Sequence, residues 1–494
     1  MSGVPIVTDL EAVGLFAALL ATSVAVGEGL RMAGWSPEST RRVVHAGVGL
    51  VTAASPMWFD GPGGIYLLAV AFMVGNAIML WRGWGPSMHA IERRSFGTVI
   101  FPFALVVALY LCWTLDPSRV FVLQIAFAVL AVADPAASWV GTSVSSPGPY
   151  HVAGATKTVA GSLAFGIFAF AITIVLLVWI GPGWSALEVG AAALSVAALS
   201  TVAEALGRGG WDNLWIVLAV VVVLSALEAD EAFGLHLAAV ASAVVFGVLT
   251  FRVGALDVSG ALAGSVLAWM LVALGGVAWA APALAFFVLS SGLSRVGESR
   301  KTSSRTLEAK GSRRDMGQVL ANGGVGMVVF AATVFWDVEW LYLAFVGAFA
   351  AAAADTWGTE LGTAVGGATR RLGIGRRVQP GESGGMSVAG TVGAVAGATT
   401  VVGSAMLVGG ITDGLVAVAI TAAAVGASVL DSALGATVQA RFHRPDGTLS
   451  EVALEGDLED AAHVGWVWVD NDVVNWAGSL AGAAGAVAAW SFVA

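Results

Sequence analysis

Apolar runs recur along the whole chain, separated by short polar stretches that hold most of its charge. The runs are about 17–22 residues long, enough for a helix to cross a bilayer core of about 30 Å. They place spans near 10–28, 43–59, 64–81, 97–113, 119–133, 158–180, 187–206, 213–228, 234–250, 258–273, 279–293, 317–336, 340–354, 386–407, 413–431 and 474–491. The pattern predicts an all-α, polytopic helical integral membrane protein with about 16 transmembrane helices.

Two echoes divide that series. Ala133-Asp134-Pro135-Ala136-Ala137-Ser138-Trp139-Val140-Gly141 is answered by Ala354-Asp355-Thr356-Trp357-Gly358-Thr359-Glu360-Leu361-Gly362. Upstream, Arg93-Arg94-Ser95-Phe96-Gly97 is answered by Arg313-Arg314-Asp315-Met316-Gly317. Residues 93 and 313 are 220 apart, and residues 134 and 355 are 221 apart, so both matches share one register. An internal repeat decides architecture before any local reading. We expect two parallel eight-helix modules, residues 1–230 and 231–494, each with an aspartate where a span meets its loop.

Composition agrees: 57% of residues are hydrophobic and 11% charged, and the 64 glycines suit close helix packing. No cleavable leader is expected in the first apolar run. The single cysteine, Cys112, lies in a predicted span and excludes an internal disulfide. With the N-terminus outside, every lysine and arginine except Arg119 falls on the inner side. The positive-inside rule then predicts a multi-pass protein of the cell membrane with its large, chemistry-bearing loops in the cytoplasm. The net charge of −10 and this arrangement give nucleic-acid binding no support.

The polar residues gather at predicted inner ends of spans. In the first module these are Arg42, His45, Arg93, Arg94, Asp134, Lys157, Gly161, Ser162, Glu204, Asp212 and Asn213. Carboxylates near hydrocarbon are expensive to keep, so their default reading is functional. Carboxylates with Lys, Arg and a Gly/Ser-rich segment suit a nucleotide site, because Mg²⁺ takes one or two carboxylates plus phosphate oxygens. Lys and Arg neutralise a transferring phosphoryl group, and glycine lets backbone N–H groups approach it.

Arg41-Arg42-Val43-Val44-His45, Glu92-Arg93-Arg94-Ser95-Phe96-Gly97, Ala133-Asp134-Pro135-Ala136-Ala137, Lys157-Thr158-x-x-Gly161-Ser162 and Glu204…Asp212-Asn213 resemble the phytol/dolichol kinase (polyprenol kinase) family. The resemblance covers roughly residues 25–228. It implies CTP-dependent phosphorylation of a long isoprenoid alcohol. Asp134 would be a metal or catalytic carboxylate and Lys157 a phosphate ligand, with Glu204 and Asp212 completing the site.

The second module is similar to the domain-of-unknown-function family 92, which includes phytyl-phosphate kinases. The matching residues are Gly311-Ser312-Arg313-Arg314…Asn322-Gly323-Gly324, Ala354-Asp355…Gly362, Gly381-Glu382-Ser383-Gly384-Gly385-Met386-Ser387, Asp431-Ser432…Gln439 and Asn471-Asp472-x-x-Asn475. This resemblance covers roughly 234–494 and implies a prenyl monophosphate acceptor. Asp355 would be a metal or catalytic carboxylate and Asp431 a catalytic one. Asn322, Ser383, Gly384, Gly385, Asn471 and Asp472 would bind nucleotide or phosphate.

The repeat aligns Asp355 with Asp134, Ser387–Thr391 with Thr158–Ser162, and Asp431 with Glu204. The second module has no lysine at the Lys157 position. Arg313, Arg314, Arg376 and Arg377 are the expected cationic substitutes. Together these readings anticipate a fused isoprenoid kinase working with CTP and Mg²⁺ on a prenyl alcohol and then a prenyl phosphate. A CDP-lipid-forming enzyme and a two-repeat transporter remain the alternatives.

Overall fold

The computed structural model describes residues 6–82, 96–295, 313–372, 375, 377, 378, 380, 382–443, 449–451 and 463–493. They form two compact units, Met1–Val240 and Ala241–Ala494. The chain is an all-α polytopic membrane protein, with three small β-sheets among the described residues.

Unit 1 contains α1 (Ile6–Met32), α2 (Pro37–Ala54), α3 (Gly63–Arg82), α4 (Gly97–Leu109), α5 (Val120–Ser143), α6 (Val159–Ile180), α7 (Ala186–Leu206) and α8 (Asp212–Asp230). A π-helical turn, Tyr110–Thr114, extends α4. Before α6 comes a hairpin of β1 (Pro149–Val152) and β2 (Ala155–Thr158), in which Tyr150 pairs with Lys157. The hairpin turns through Ala153 (φ 49°) and Gly154 (φ 73°). Two positive φ values in a row match the right-handed twist of the flanking strands.

The division between units falls within α9 (Phe233–Arg252). Unit 2 continues with α10 (Val258–Met270), α11 (Gly276–Arg295), α12 (Met316–Ala332), α13 (Trp340–Val365), α14 (Val388–Leu407), α15 (Gly414–Thr437) and α16 (Asn471–Val493). Strands β3 (Arg370–Arg371) and β4 (Gly385–Met386) pair antiparallel ahead of α14. Strands β5 (Arg441–His443), β6 (Leu449–Ser450) and β7 (His463–Val464) make a sheet between α15 and α16.

Every predicted span falls on a helix, and among the described residues 13 helical stretches, against about sixteen expected, are long and apolar enough to cross a membrane. Three places account for the difference. Helix α2 carries Glu38, Arg41, Arg42 and His45 on its first turns. Helix α12 has only 17 residues. Helices α10 and α11 form one stretch of 37 residues, Val258–Ser294, interrupted at Gly276 with φ +62°.

A second correction concerns the repeated aspartates. Neither ends its helix: α5 runs on to Ser143 and α14's neighbour α13 to Val365, so Asp134 and Asp355 lie inside helices. Apolar character stops near residues 133 and 354, whereas the backbone hydrogen bonding continues. Pro135 cannot donate to the carbonyl of Ala131, so the ladder of α5 lacks one bond beside Asp134.

In each unit the helix bearing the aspartate is the central one. Phe121–Phe127 of α5 is almost continuously buried, as is Leu341–Ala354 of α13, apart from Tyr342. Glycines let the next helix approach closely. A Cβ on Gly161 would lie 2.9 Å from the Ala137 carbonyl oxygen, and one on Gly390 would lie 2.9 Å from that of Gly358. The same residues are matched by the sequence repeat. Thr158 caps α6 by accepting from Gly161 N–H, and Ser387 caps α14 by accepting from Gly390 N–H.

Candidate functional site

The helix ends of unit 1 assemble a polar cluster. Gly49 of α2 packs on Ala131 of α5, with room for no Cβ beyond 2.6 Å of the alanine methyl. One turn away on both helices, His45 Nε2 stands 3.6 Å from Asp134 Oδ2. That nitrogen is buried without a hydrogen-bond partner. Lys157 on β2 reaches the end of α7, donating to Glu204 Oε1 at 2.6 Å and to the Glu204 carbonyl at 2.8 Å. Burial pushes the Lys157 ammonium down. Glu204 beside it, with Asp212 and Asp134 close by, outweighs that and holds its pKa above the ordinary value.

Asp212 opens α8 within the field of His45, Asp134 and Lys157. Asn213 donates to the Gly97 carbonyl at 3.3 Å, tying α8 to the start of α4. Gly161 and Ser162 begin α6; Ser162 Oγ lies 2.7 Å from the Tyr150 hydroxyl. Arg42 is placed differently from the expectation of a phosphate ligand. Its Nε donates to Ser138 at 2.9 Å and its Nη2 to Thr142 and Glu38 at 3.2 Å, so it clamps the last turns of α5 to α2. Arg93 and Arg94 lie outside the described residues.

Unit 2 surrounds a cavity of about 890 Å³, lined by the loop after α9, by α11–α16 and by the β3–β4 turn. That is within the range of small-molecule sites, roughly 300–1,000 Å³. Asp355 and Asp431 meet there, and Glu451 is a further acidic group acting on both. Asp431 Oδ2 is buried with no hydrogen-bond partner. Asn322, Ser383, Gly384, Gly385, Asn471 and Asp472 also line the cavity. Asn322 itself donates to the Gln318 carbonyl at 2.9 Å.

The Ser383–Gly385 turn is built for close approach. Gly384 has φ +76°, and a Cβ there would lie 2.6 Å from Ala436. Glu451 bridges the turn to α15's end, accepting from Ser383 at 2.6 Å and from Gln439 at 3.0 Å.

The expected arginines divide. Arg314 lines the cavity, and burial lowers its pKa. Its backbone joins Ala255 and Asp257 in a bridge beside α10. Arg313 and Arg377 are exposed and do not line the cavity. Arg376 lies outside the described residues, as does Gly381. The sequence reading missed Tyr150, Glu451, Arg371 and Arg441. The β1–β2 hairpin that carries Tyr150 has strands of four residues each, too short for an alternating pattern to stand out.

Two adjacent carboxylates in a helical bundle repel unless a proton or cation lies between them. The orphaned Asp431 oxygen and the Asp355 pairing therefore fit a divalent cation in unit 2. In unit 1, Asp134 and Asp212 could hold one beside the Lys157–Glu204 pair. Among the described residues no three His, Cys, Asp or Glu side chains group as a metal cage. Mg²⁺ bound here would complete its shell with substrate oxygens and water, as that ion usually does.

Comparison with known proteins bears on the second half. The chain is 30% identical to Protein PGR of Arabidopsis thaliana over 238 residues, covering 43% of this chain and 82% of that protein. An uncharacterized membrane protein of Synechocystis is 28% identical over 235 residues, 44% of this chain and 78% of its own. One from Methanocaldococcus jannaschii is 29% identical over 143 residues, 29% of this chain and 58% of its own. No solved structure matches. A family model described as integral membrane protein DUF92 matches residues 241–483. With a relative this similar covered over most of its length, the chain belongs to the DUF92 integral membrane protein family.

Proposed function

We propose that this protein is a membrane isoprenoid kinase in which unit 1 phosphorylates a prenyl alcohol and unit 2 phosphorylates the resulting monophosphate. CTP would be the donor, Mg²⁺ the cofactor and the cytoplasmic membrane face the place of reaction. The observation that carries the reading is the unit 2 cavity. It joins apolar helix surface, Val425 and Val429 among it, to the Asp355–Asp431 pair and the Ser383–Gly385 turn. An amphipathic substrate needs both: hydrocarbon for its tail and positioned polar groups for its reacting oxygen.

In unit 1 the alcohol oxygen attacks the γ-phosphorus of CTP, the bond to the β–γ bridging oxygen breaks, and CDP leaves. The hydroxyl proton passes to a carboxylate, and the nearness of His45 to Asp134 supports Asp134 in that role. Lys157 steadies the phosphate oxygens. In unit 2 the attacking oxygen belongs to a phosphate monoester, whose second pKa of about 6 leaves it ionised at neutral pH. No base is required there, in keeping with the carboxylates, and no histidine, among the described residues lining the cavity. Bound Mg²⁺ would offset the charge on the phosphate oxygens.

Incubation of the purified protein with geranylgeraniol and γ-labelled CTP tests the reading. Asp134→Ala should give no monophosphate, whereas Asp355→Ala should accumulate it, each step falling by about a hundredfold or more. Release of inorganic diphosphate instead of CDP would replace the kinase with a CDP-lipid-forming enzyme. Equal loss of both steps in each variant would sink the division of labour between the units.

A further inference from the structure

Unit 2 has Met386 where unit 1 has Lys157, yet its site is not without cations. Arg371 lies on β3, directly across the ladder from Gly385. Arg441 begins β5 and is only 3% exposed; its Nη2 donates to the Ala436 carbonyl at 3.2 Å. Ala436 is the residue on which Gly384 packs. Both arginines are thus anchored to segments that touch the Ser383–Gly385 turn, and they lie within each other's field.

We propose that Arg371 and Arg441 form the anion site of unit 2 and hold a phosphate group of its substrate beside the Ser383–Gly385 turn. Three of their N–H groups are buried without a hydrogen-bond partner: Arg371 Nε, Arg441 Nε and Arg441 Nη1. A buried donor on a charged group is costly to leave unsatisfied, so such groups persist where a ligand answers them. Burial disfavours the charge on Arg441, and so does Arg371, which places two like charges together.

The facing acids do not resolve this. Glu382 is engaged by Arg371 Nη2 at 2.6 Å, and Glu451 holds Ser383 and Gln439. A phosphate oxygen group can accept from both forks at once, which a single carboxylate cannot do as well. Arg371 and Arg441 stand behind the cavity wall, whereas the turn, Asp355 and Asp431 line it; a phosphate drawn to the turn would lie in the same cavity as a divalent cation at the carboxylates.

The kinase reading enters only in naming the prenyl phosphate as occupant; the anion site is testable without turnover. Equilibrium dialysis of the full-length protein in detergent with labelled inorganic pyrophosphate and Mg²⁺ should show saturable binding. Arg371→Gln and Arg441→Gln should each weaken it by about tenfold or more, while Arg377→Gln, on an exposed arginine, leaves it unchanged. Arg441→Lys keeps the charge without the fork and should fall between; it decides the matter if Arg441→Gln does not fold. Absent binding by the wild-type protein, or wild-type affinity in Arg371→Gln and Arg441→Lys, overturns the proposal. Pyrophosphate binding without any labelled lipid product would instead leave the anion site standing and remove the kinase reading. Labelled product at wild-type rates from both variants would do the reverse.

Discussion

In unit 1 the acidic residue at the end of α7, Glu204, holds Lys157, whereas in unit 2 its counterpart Asp431 meets Asp355. The surrounding scaffold is otherwise matched. Each unit has a buried central helix bearing the aspartate, a short hairpin after it, and a Ser/Thr cap opening the next helix. What differs is how the negative charge is met. Unit 1 carries its own cation within the carboxylate cluster, while unit 2 leaves two carboxylates together and sets its arginines at the glycine turn. The difference suits the proposed acceptors, since a neutral alcohol needs its proton removed and a phosphate needs its charge offset.

The strongest way to break this comparison is to remove the lysine. Lys157→Met strands Glu204 in a nearly buried position and should destabilise unit 1 by about 3–5 kcal/mol. Hydrogen exchange in α6 and α7 should rise while α13 and α14 keep their protection. The stabilisation from Lys157 has a defined pH window, because its folded pKa is raised. It is complete below the unfolded value of about 10.4 and is lost as pH climbs through the folded one. Unfolding midpoints of wild type and Lys157→Met should therefore converge in strongly alkaline buffer.

Next in size is the response of unit 2 to Mg²⁺. A bound ion at about a hundred times its dissociation constant adds about 2.7 kcal/mol. The thermal midpoint of unit 2 should rise accordingly, and Asp355→Asn or Asp431→Asn should abolish the rise. Met386→Lys restores the arrangement of unit 1 and should shrink it. An unchanged Mg²⁺ response in all three variants would remove the carboxylate pair as its site.

Smaller effects test the shared scaffold. Gly161→Ala and Gly390→Ala each drive a methyl against a neighbouring carbonyl and should cost about 1–3 kcal/mol in their own unit. Thr158→Ala and Ser387→Ala remove equivalent helix caps and should each cost about 1 kcal/mol. Denaturant titrations should find similar losses in the two units. A large loss in one alone would mean that the repeat preserves sequence without preserving structure.

Much of this was legible from hydropathy and repetition. The spans, the matched aspartates and the Thr158/Ser387 register all stand in the sequence, because membrane helices and their caps leave periodic marks. The lengths of α5 and α13 were hidden, since apolar character reports where hydrocarbon ends and not where hydrogen bonding does. Ser138 and Thr142 are polar, yet they continue a helix because Arg42 binds them. The cations of unit 2 were sought among Arg313, Arg314, Arg376 and Arg377, where arginines cluster in sequence. Arg371 and Arg441 are 70 positions apart and become neighbours only when β3 and β5 fold around the glycine turn.

The glycine crossing of α13 and α14 has a mechanical consequence. Backbone touches backbone at Gly358 and Gly390, so neither helix has slack to roll or slide without collision. Asp355 accordingly stands on a stiff floor. Across the cavity, Glu451 accepts from Ser383 and Gln439 and ties the glycine turn to the end of α15.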